Sequence, residues 1–217
     1  MLTHKNQENM LRKTGLLLFA LIALLLASCD KVMQNLGGMK MDSPEVLEKA
    51  KELAKSQFDA SKWKIVSVDW DEESGQGELE GNVTSIRFYM IDQDGKAWQQ
   101  TFIASLGWKA GDLDETPFAK GDKLDNPKDY PALDLEKLSG EQYTKMIEDA
   151  KAMLPKSYKY KSLDMFSINT YDKEPISFTL NVVEDGKETV SNAGRTSIVF
   201  YEVRFTADEN GKLTMKE

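Results

Sequence analysis

The sequence predicts an α+β fold built from two related units, each with one helix packed on a small antiparallel β-sheet. Two serine-capped segments carry apolar residues at helical spacing, one over residues 44–58 and one that starts at residue 139. Each is followed by segments in which apolar and polar residues alternate, as they do in half-buried strands. The two capping serines, Ser43 and Ser139, lie 96 positions apart, and similar residues recur at about that spacing, which indicates a repeat.

The first unit is expected to span residues 43–105. Ser43 is a good N-cap, and Pro44 and Glu45 suit the first turn of a helix. The apolar face of this helix comprises Val46, Leu47, Ala50, Leu53, Ala54 and Phe58. Alternation predicts strands at residues 63–70, 82–91 and 96–104, with a turn at 71–77 and a tight turn at 92–95.

A connector and the second unit follow. Residues 106–138 are rich in glycine, proline, aspartate and lysine, which predicts a connector that lies over the surface. The second unit is expected to span residues 139–217. Ser139 and Gln142 form a capping box, and Pro155 ends the helix. Strands are predicted near residues 160–169, 176–183, 197–207 and 212–216.

This order of elements is similar to that of small secreted modules of the PepSY-like, cystatin-like and β-lactamase-inhibitor-protein-like kinds. The resemblance lies in element order alone, without signature residues, and concerns only the arrangement of one helix on a small antiparallel sheet.

The N-terminus has the pattern of a secretory signal peptide. Arg12 and Lys13 precede an unbroken apolar run at residues 16–26, and small residues follow it. As a helix, that run would span about 17 Å, whereas the hydrocarbon core of a bilayer is about 30 Å thick. A cleaved signal over residues 1–28 is therefore favoured over an uncleaved anchor, with Met10 as an alternative start.

The residues Leu26-Ala27-Ser28-Cys29 resemble the lipobox of bacterial lipoproteins. The resemblance implies cleavage just before Cys29, acylation of its thiol and acylation of the new α-amino group. Two or three acyl chains would anchor the protein stably to a membrane. Residues 29–42, interrupted by Gly37 and Gly38, predict a flexible lipidated tether.

The lipobox places the protein in the cell envelope, and the periplasmic face is expected. Asp30, directly after the cysteine, resembles the inner-membrane retention signal of enterobacterial lipoproteins. Other bacterial groups use different sorting rules, so the sequence leaves the choice of membrane open.

Cleavage would also remove most catalytic machinery. The only histidine of the chain is His4, within the signal, and the only cysteine, Cys29, would carry lipid. The remaining 189 residues then contain no imidazole and no thiol, which excludes Ser-His-Asp and Cys-His catalysis and zinc or copper sites built on these residues. The formal net charge of −8 argues against a nucleic-acid partner. We expect no catalytic residue, no cofactor and no metal.

Three polar patterns have a functional and a simpler interpretation. Asp69, Asp71, Glu72 and Glu73 surround Trp70, which would suit a cation site or a glycosidase carboxylate, but a solvated acidic turn is favoured. The loops at residues 90–101 and 206–217 partly match a calcium loop and are better explained as hairpin turns. The Ser61-Lys62-Trp63-Lys64 segment matches Ser-x-x-Lys, without its companion motifs.

Three aromatic residues are the candidate ligand-binding residues: Trp98, Trp108 and Phe118. The last two lie in the connector, and loops carry function more often than sheets do. We therefore predict a lipid-anchored, non-catalytic module that binds or inhibits another envelope protein or peptide. The alternatives are a carrier of a hydrophobic ligand, which needs an enclosed apolar cavity, and a carboxylate-dependent glycan hydrolase.

Overall fold

The computed structural model describes residues 38–72, 79–116, 127–192, 195–208 and 210–216. The chain divides into the units Met1–Met39 and Lys40–Glu217. The helices of the second unit are α1 (Pro44–Gln57) and α2 (Gly140–Met153). Its strands are β1 (Lys64–Glu72), β2 (Val83–Ile91), β3 (Ala97–Ile103), β4 (Lys109–Glu115), β5 (Tyr158–Asn169), β6 (Ile176–Glu184), β7 (Thr189–Asn192), β8 (Arg195–Ile198), β9 (Tyr201–Ala207) and β10 (Leu213–Met215).

Eight of these strands form one antiparallel sheet in the order β10-β9-β6-β5-β1-β2-β3-β4. The predicted fold class, two α+β units that each pack one helix on a small sheet, is therefore wrong: the fold is β-rich, with one large sheet. The reason is the pairing of β1 with β5, which satisfies backbone groups that would otherwise lie at the edges of two separate sheets.

Positions related by the predicted repeat meet at the middle of this sheet. Trp70 and Phe166, which are 96 positions apart, are direct partners in the β1–β5 pair, and their rings stack with centroids 5.0 Å apart. The helix starts also meet, since a Cβ atom added to Gly140 would lie 2.9 Å from that of Pro44. A side chain at position 140 would therefore push the two helix starts apart.

Helix α1 forms largely where the sequence predicts it. The hydroxyl of Ser43 accepts a hydrogen bond from the backbone N–H of Glu45, and Phe58 is the extended C-cap. The buried residues of the helix are Val46, Leu47, Ala50, Lys51 and Leu53. The ring of Phe58 then packs edge-on against Phe88 and Phe102, with centroids at 5.1 and 5.9 Å, which fixes α1 against β2 and β3.

Helix α2 begins with the predicted capping box of Ser139 and Gln142. Its buried face is Tyr143, Met146, Ile147 and Ala150. The Tyr143 hydroxyl donates to the carbonyl of Met41 and accepts a hydrogen bond of 3.3 Å from the indole of Trp70. These bonds tie α2 to the middle of the sheet and to the start of the folded domain.

Both α-helices pack on the same face of the sheet, the covered face. Its centre is a ladder of stacked rings from four adjacent strands: Trp70, Phe166, Phe178 and Phe205. Neighbouring centroids lie 5.0–5.5 Å apart, and each ring is fully buried. Burial of such large apolar groups is the main source of stability for this layer.

Two segments depart from the predicted elements. Residues 109–115, in the predicted connector, form the edge strand β4. The predicted strand at residues 197–207 divides into β8 and β9, and β8 pairs with β7 in a separate two-stranded sheet. We call β7 and β8 together the β7–β8 arm; in the sequence it lies between β6 and β9, which are neighbours in the main sheet.

Candidate functional site

The face of the sheet opposite α1 and α2, the open face, is mostly polar, although at one end Tyr89 packs against a buried cluster of Val66, Ile91 and Tyr130. Its residues alternate along each strand with the buried aromatic residues of the covered face, as the pleat of a strand requires. They include Ser67, Asp69, Asp71, Ser85, Arg87, Tyr89, Gln99, Thr101, Ile103, Met165, Ser167, Asn169, Ser177, Thr179, Arg204 and Thr206. Six of them, Ser67, Asp69, Ser85, Asn169, Thr179 and Thr206, are buried.

Strand register aligns these side chains in rows across the sheet. The central row runs through β3, β2, β1, β5, β6 and β9, and consists of Thr101, Arg87, Asp69, Ser167, Ser177 and Thr206. The charged members of this row lie on β1 and β2. From β5 to β9 the row contains only small hydroxyl side chains.

Arg87 organises a charged cluster on the open face, the Arg87 cluster, made of Arg87, Asp69, Asp71 and Tyr89. One guanidinium nitrogen, Nη1, lies 3.4 Å from Asp69 Oδ1 and 3.5 Å from the Tyr89 hydroxyl. The other, Nη2, lies 3.7 Å from Asp71 Oδ2. The hydroxyl of Ser85 donates to Asp71 at 2.9 Å. The cation is therefore held from several sides.

The electrostatics of the Arg87 cluster follow from its partial burial. The Asp69 side chain is 12% exposed, whereas those of Arg87 and Asp71 are 32% and 35% exposed. Burial raises the pKa of Asp69 to about 6; the charge of Arg87 opposes this rise and that of Asp71 adds to it. Burial and the charge of Asp69 likewise raise the pKa of Tyr89.

This arrangement suits recognition better than hydrolysis. Asp69 and Asp71 lie on one strand and contact the same guanidinium, whereas a glycosidase needs two carboxyl groups on opposite sides of the scissile bond. Within the described part of the chain, no group of three histidine, cysteine or acidic residues is placed to hold a metal ion.

The two loops that resemble calcium loops form hairpin turns. Asp92 Oδ1 accepts the backbone N–H groups of Asp94 and Lys96, both at 2.9 Å. Asp208 Oδ1 binds the N–H groups two and four positions further on in the same way, at Asn210 and Lys212. These carboxylate oxygens cap the turns.

The structure places two of the predicted ligand-binding aromatics, Trp98 and Trp108, at different ends of one strand pair. Trp98 pairs with Glu115 near one end of the β3–β4 pair, and Trp108 lies in the turn at the other end. The indole N–H of Trp98 donates to Asp92 Oδ2 at 2.8 Å, and its ring meets that of Trp63 edge-on at 6.0 Å. Phe118, Glu73 and the lipidation candidate Cys29 lie outside the described residues.

A cleft of about 720 Å³ lies between α2, the segment 131–138 and the turns that follow β5 and β9. Its apolar lining includes Leu135, Met146, Ile168 and Ile176, and its charged lining includes Asp134, Asp149, Asp172, Asp208, Lys137 and Lys145. The volume suits a small ligand. The lining is mixed, which differs from the enclosed apolar cavity expected of a carrier.

The chain matches no protein-family model, no curated protein and no solved structure. Among the residues that the structure describes, no helix is long and apolar enough to cross a membrane.

The sequence pattern identified the two aspartates but not their partner. Asp69 and Asp71 are visible as alternating residues of one strand, whereas Arg87 and Tyr89 come from the next strand. A usable signal was present, since residues 85, 87 and 89 are polar or aromatic at the same alternation. Only the register of β1 against β2 shows that these side chains meet.

Proposed function

We propose that this protein is a lipid-anchored, extracytoplasmic, non-catalytic module that binds another envelope protein or peptide through the open face of its sheet. The observation that carries the proposal is the Arg87 cluster, a fixed and partly exposed cation near the centre of the polar sheet face. The envelope location and the anchor at Cys29 come from the lipobox resemblance.

The composition of the cluster supports a protein partner. Arginine and tyrosine are enriched among the residues that dominate protein–protein binding energy. Arg87 is a third exposed and already held by Asp69 and Asp71, so a partner would meet it in one orientation. Such preorganisation lowers the entropy cost of association.

The dimensions of the open face also suit a partner. Its central row crosses six strands. The five spacings between these strands, of about 4.8 Å each, give a width of about 24 Å. A standard interface of about 800 Å² per partner is roughly 28 Å across. With the edge strands β4 and β10 included, the eight-stranded sheet is about 34 Å wide, which is enough for a stable interface.

The test is recovery of partners by the full-length protein with a single arginine replaced. Arg87→Met should reduce recovery of cross-linked envelope proteins at least tenfold, because it removes the charge at the centre of the face. Arg204→Met is the matched control, since Arg204 is an exposed arginine of the same face in the other half of the sheet. Thermal melts would confirm that both variants fold. Equal recovery by Arg87→Met and the unmodified protein would contradict the proposal.

A second candidate is a carrier whose small ligand lies in the cleft beside α2, since the volume of the cleft fits such a ligand and part of its lining is apolar. Ala132, an exposed residue of its lining, offers a way to fill it. Ala132→Trp should reduce the fluorescence of bound Nile red at least threefold if the cleft is the ligand site. Unchanged fluorescence would remove this candidate.

A further inference from the structure

Exposed apolar side chains cluster at one end of the sheet. Seven large apolar residues of the described chain are exposed by 38% or more. Two of them, Leu113 and Met215, lie within the edge strands β4 and β10. The other five lie at or beyond one end of the main sheet: Leu106, Met153, Val190, Ile198 and Tyr201.

The sheet topology places these five residues at one end of the main sheet. Leu106 lies in the turn from β3 to β4, and Met153 ends α2. Val190 and Ile198 belong to the β7–β8 arm, and Tyr201 begins β9. In an antiparallel sheet, the end of β3, the start of β5, the end of β6 and the start of β9 all lie at one end.

The chain enters the folded domain at this same end, which we call the entry end. Lys40 forms a bridge with Asn82, just before β2, and its ammonium donates to the Glu80 carbonyl at 2.7 Å. The backbone N–H of Met41 donates to the carbonyl of Gly81 at 2.8 Å. The first residues of the domain are thus fixed beside the end of β1 and the start of β2.

The distance to the proposed anchor is short. Lys40 follows Cys29 by eleven positions. Even fully extended, eleven residues reach at most about 40 Å. An acylated Cys29 would therefore keep the entry end, rather than the opposite end of the sheet, close to the membrane surface.

The chemistry of the entry end suits a lipid surface. Val190 pairs with Ser197 and Ile198 pairs with Thr189, so the two apolar residues point to opposite faces of the arm. They are 53% and 57% exposed. Tyr201 packs edge-on against Tyr158 at 5.7 Å, and tyrosines with one polar tip favour the membrane–water interface.

We infer that the entry end, led by the β7–β8 arm, docks on the surface of the bilayer in which Cys29 is anchored. The inference rests on the acylation included in the proposed function. The arm inserts its apolar side chains at the headgroup level, and the rest of the domain stands away from the membrane. Contact of this kind scales with the apolar area buried.

The test uses the full-length acylated protein in vesicles of phosphatidylethanolamine and phosphatidylglycerol that contain spin-labelled acyl chains. Ile198→Cys and Leu113→Cys would each carry a nitrobenzoxadiazole label. Position 113 is the matched control, because Leu113 is also an exposed apolar residue but lies within β4. We expect at least threefold stronger quenching at position 198, with a blue-shifted emission.

The outcomes separate the steps of the inference. Equal quenching at both positions, in protein whose mass shows an acylated Cys29, overturns docking and leaves binding through the open face unaffected. An unmodified Cys29 overturns the anchor and this inference with it. A label at position 198 that responds to added envelope protein but not to vesicles would make the arm a protein contact and overturn the lipid proposal.

Discussion

The two halves of the main sheet, the first made of β1–β4 and the second of β5, β6, β9 and β10, have similar covered faces but different open faces. On the covered face, both contribute buried aromatic rings, such as Phe88 and Phe178. On the open face, the first half carries the Arg87 cluster, whereas the central row of the second half contains serine and threonine. The covered face is constrained by packing in both halves. On the open face, the central row carries charged side chains in the first half alone, which points to function there.

The largest expected effect comes from Trp70, a residue of β1 that contacts the second half through Phe166. Trp70→Ala should lower the free energy of unfolding by about 3–5 kcal/mol, since it removes a fully buried ring that stacks on Phe166 across the central strand pair. Denaturant unfolding followed by circular dichroism would measure it. Loss of structure in the first half alone would show that the halves are independent.

The next largest effect is expected from a comparison of two arginine variants, one in each half of the sheet. Arg87→Met should destabilise the fold by about 1–3 kcal/mol at neutral pH, because it leaves the largely buried Asp69 without its cation. Arg204→Met, at an exposed position of β9, should change stability by less than about 0.5 kcal/mol. Chemical denaturation of both variants would compare them directly, and equal losses would contradict the distinction between the halves.

The Asp69 carboxyl makes the first half sensitive to pH. Its pKa in the folded protein is raised to about 6 by burial, so the folded state binds this proton more tightly than the unfolded state does. The resulting stabilisation is complete below about pH 4 and is lost as pH rises through 6. Asp69→Asn removes this titration. The free energy of unfolding of the variant, relative to that of the unmodified protein, should therefore rise by on the order of 2 kcal/mol from pH 4 to pH 7.

Denaturation curves of both proteins across that range would measure the gain. A stability difference that stays constant with pH would mean that Asp69 titrates normally. Ser177→Asn is a suitable control, since Ser177 lies in the same row and does not titrate.

The smallest effect is expected in the hydroxyl part of the central row. Ser177→Ala should change stability by less than about 0.5 kcal/mol and leave partner recovery unchanged, because Ser177 is partly exposed and belongs to the half without charges in this row. Pull-down and thermal melts on the same preparation would test it. A tenfold loss of recovery would extend the binding surface into the second half.

Local signals in the chain predicted most elements but not their assembly. The Ser139–Gln142 capping box and the alternation around Trp70 predicted a helix and a strand that the structure contains. The pairing of β1 with β5 was not predictable, because alternation shows which face a residue occupies and not which strand lies beside it. For the same reason, the sequence did not show that Arg87 contacts Asp69 and Asp71.

By itself, the sequence determined the helix caps and the hairpin turns, since these depend on residues close in the chain. Its composition also limits histidine and cysteine chemistry to one residue of each type. The single sheet, the Arg87 cluster and the apolar entry end depended on tertiary structure. Each of them joins residues distant in sequence, and backbone pairing between strands decides which of those residues become neighbours.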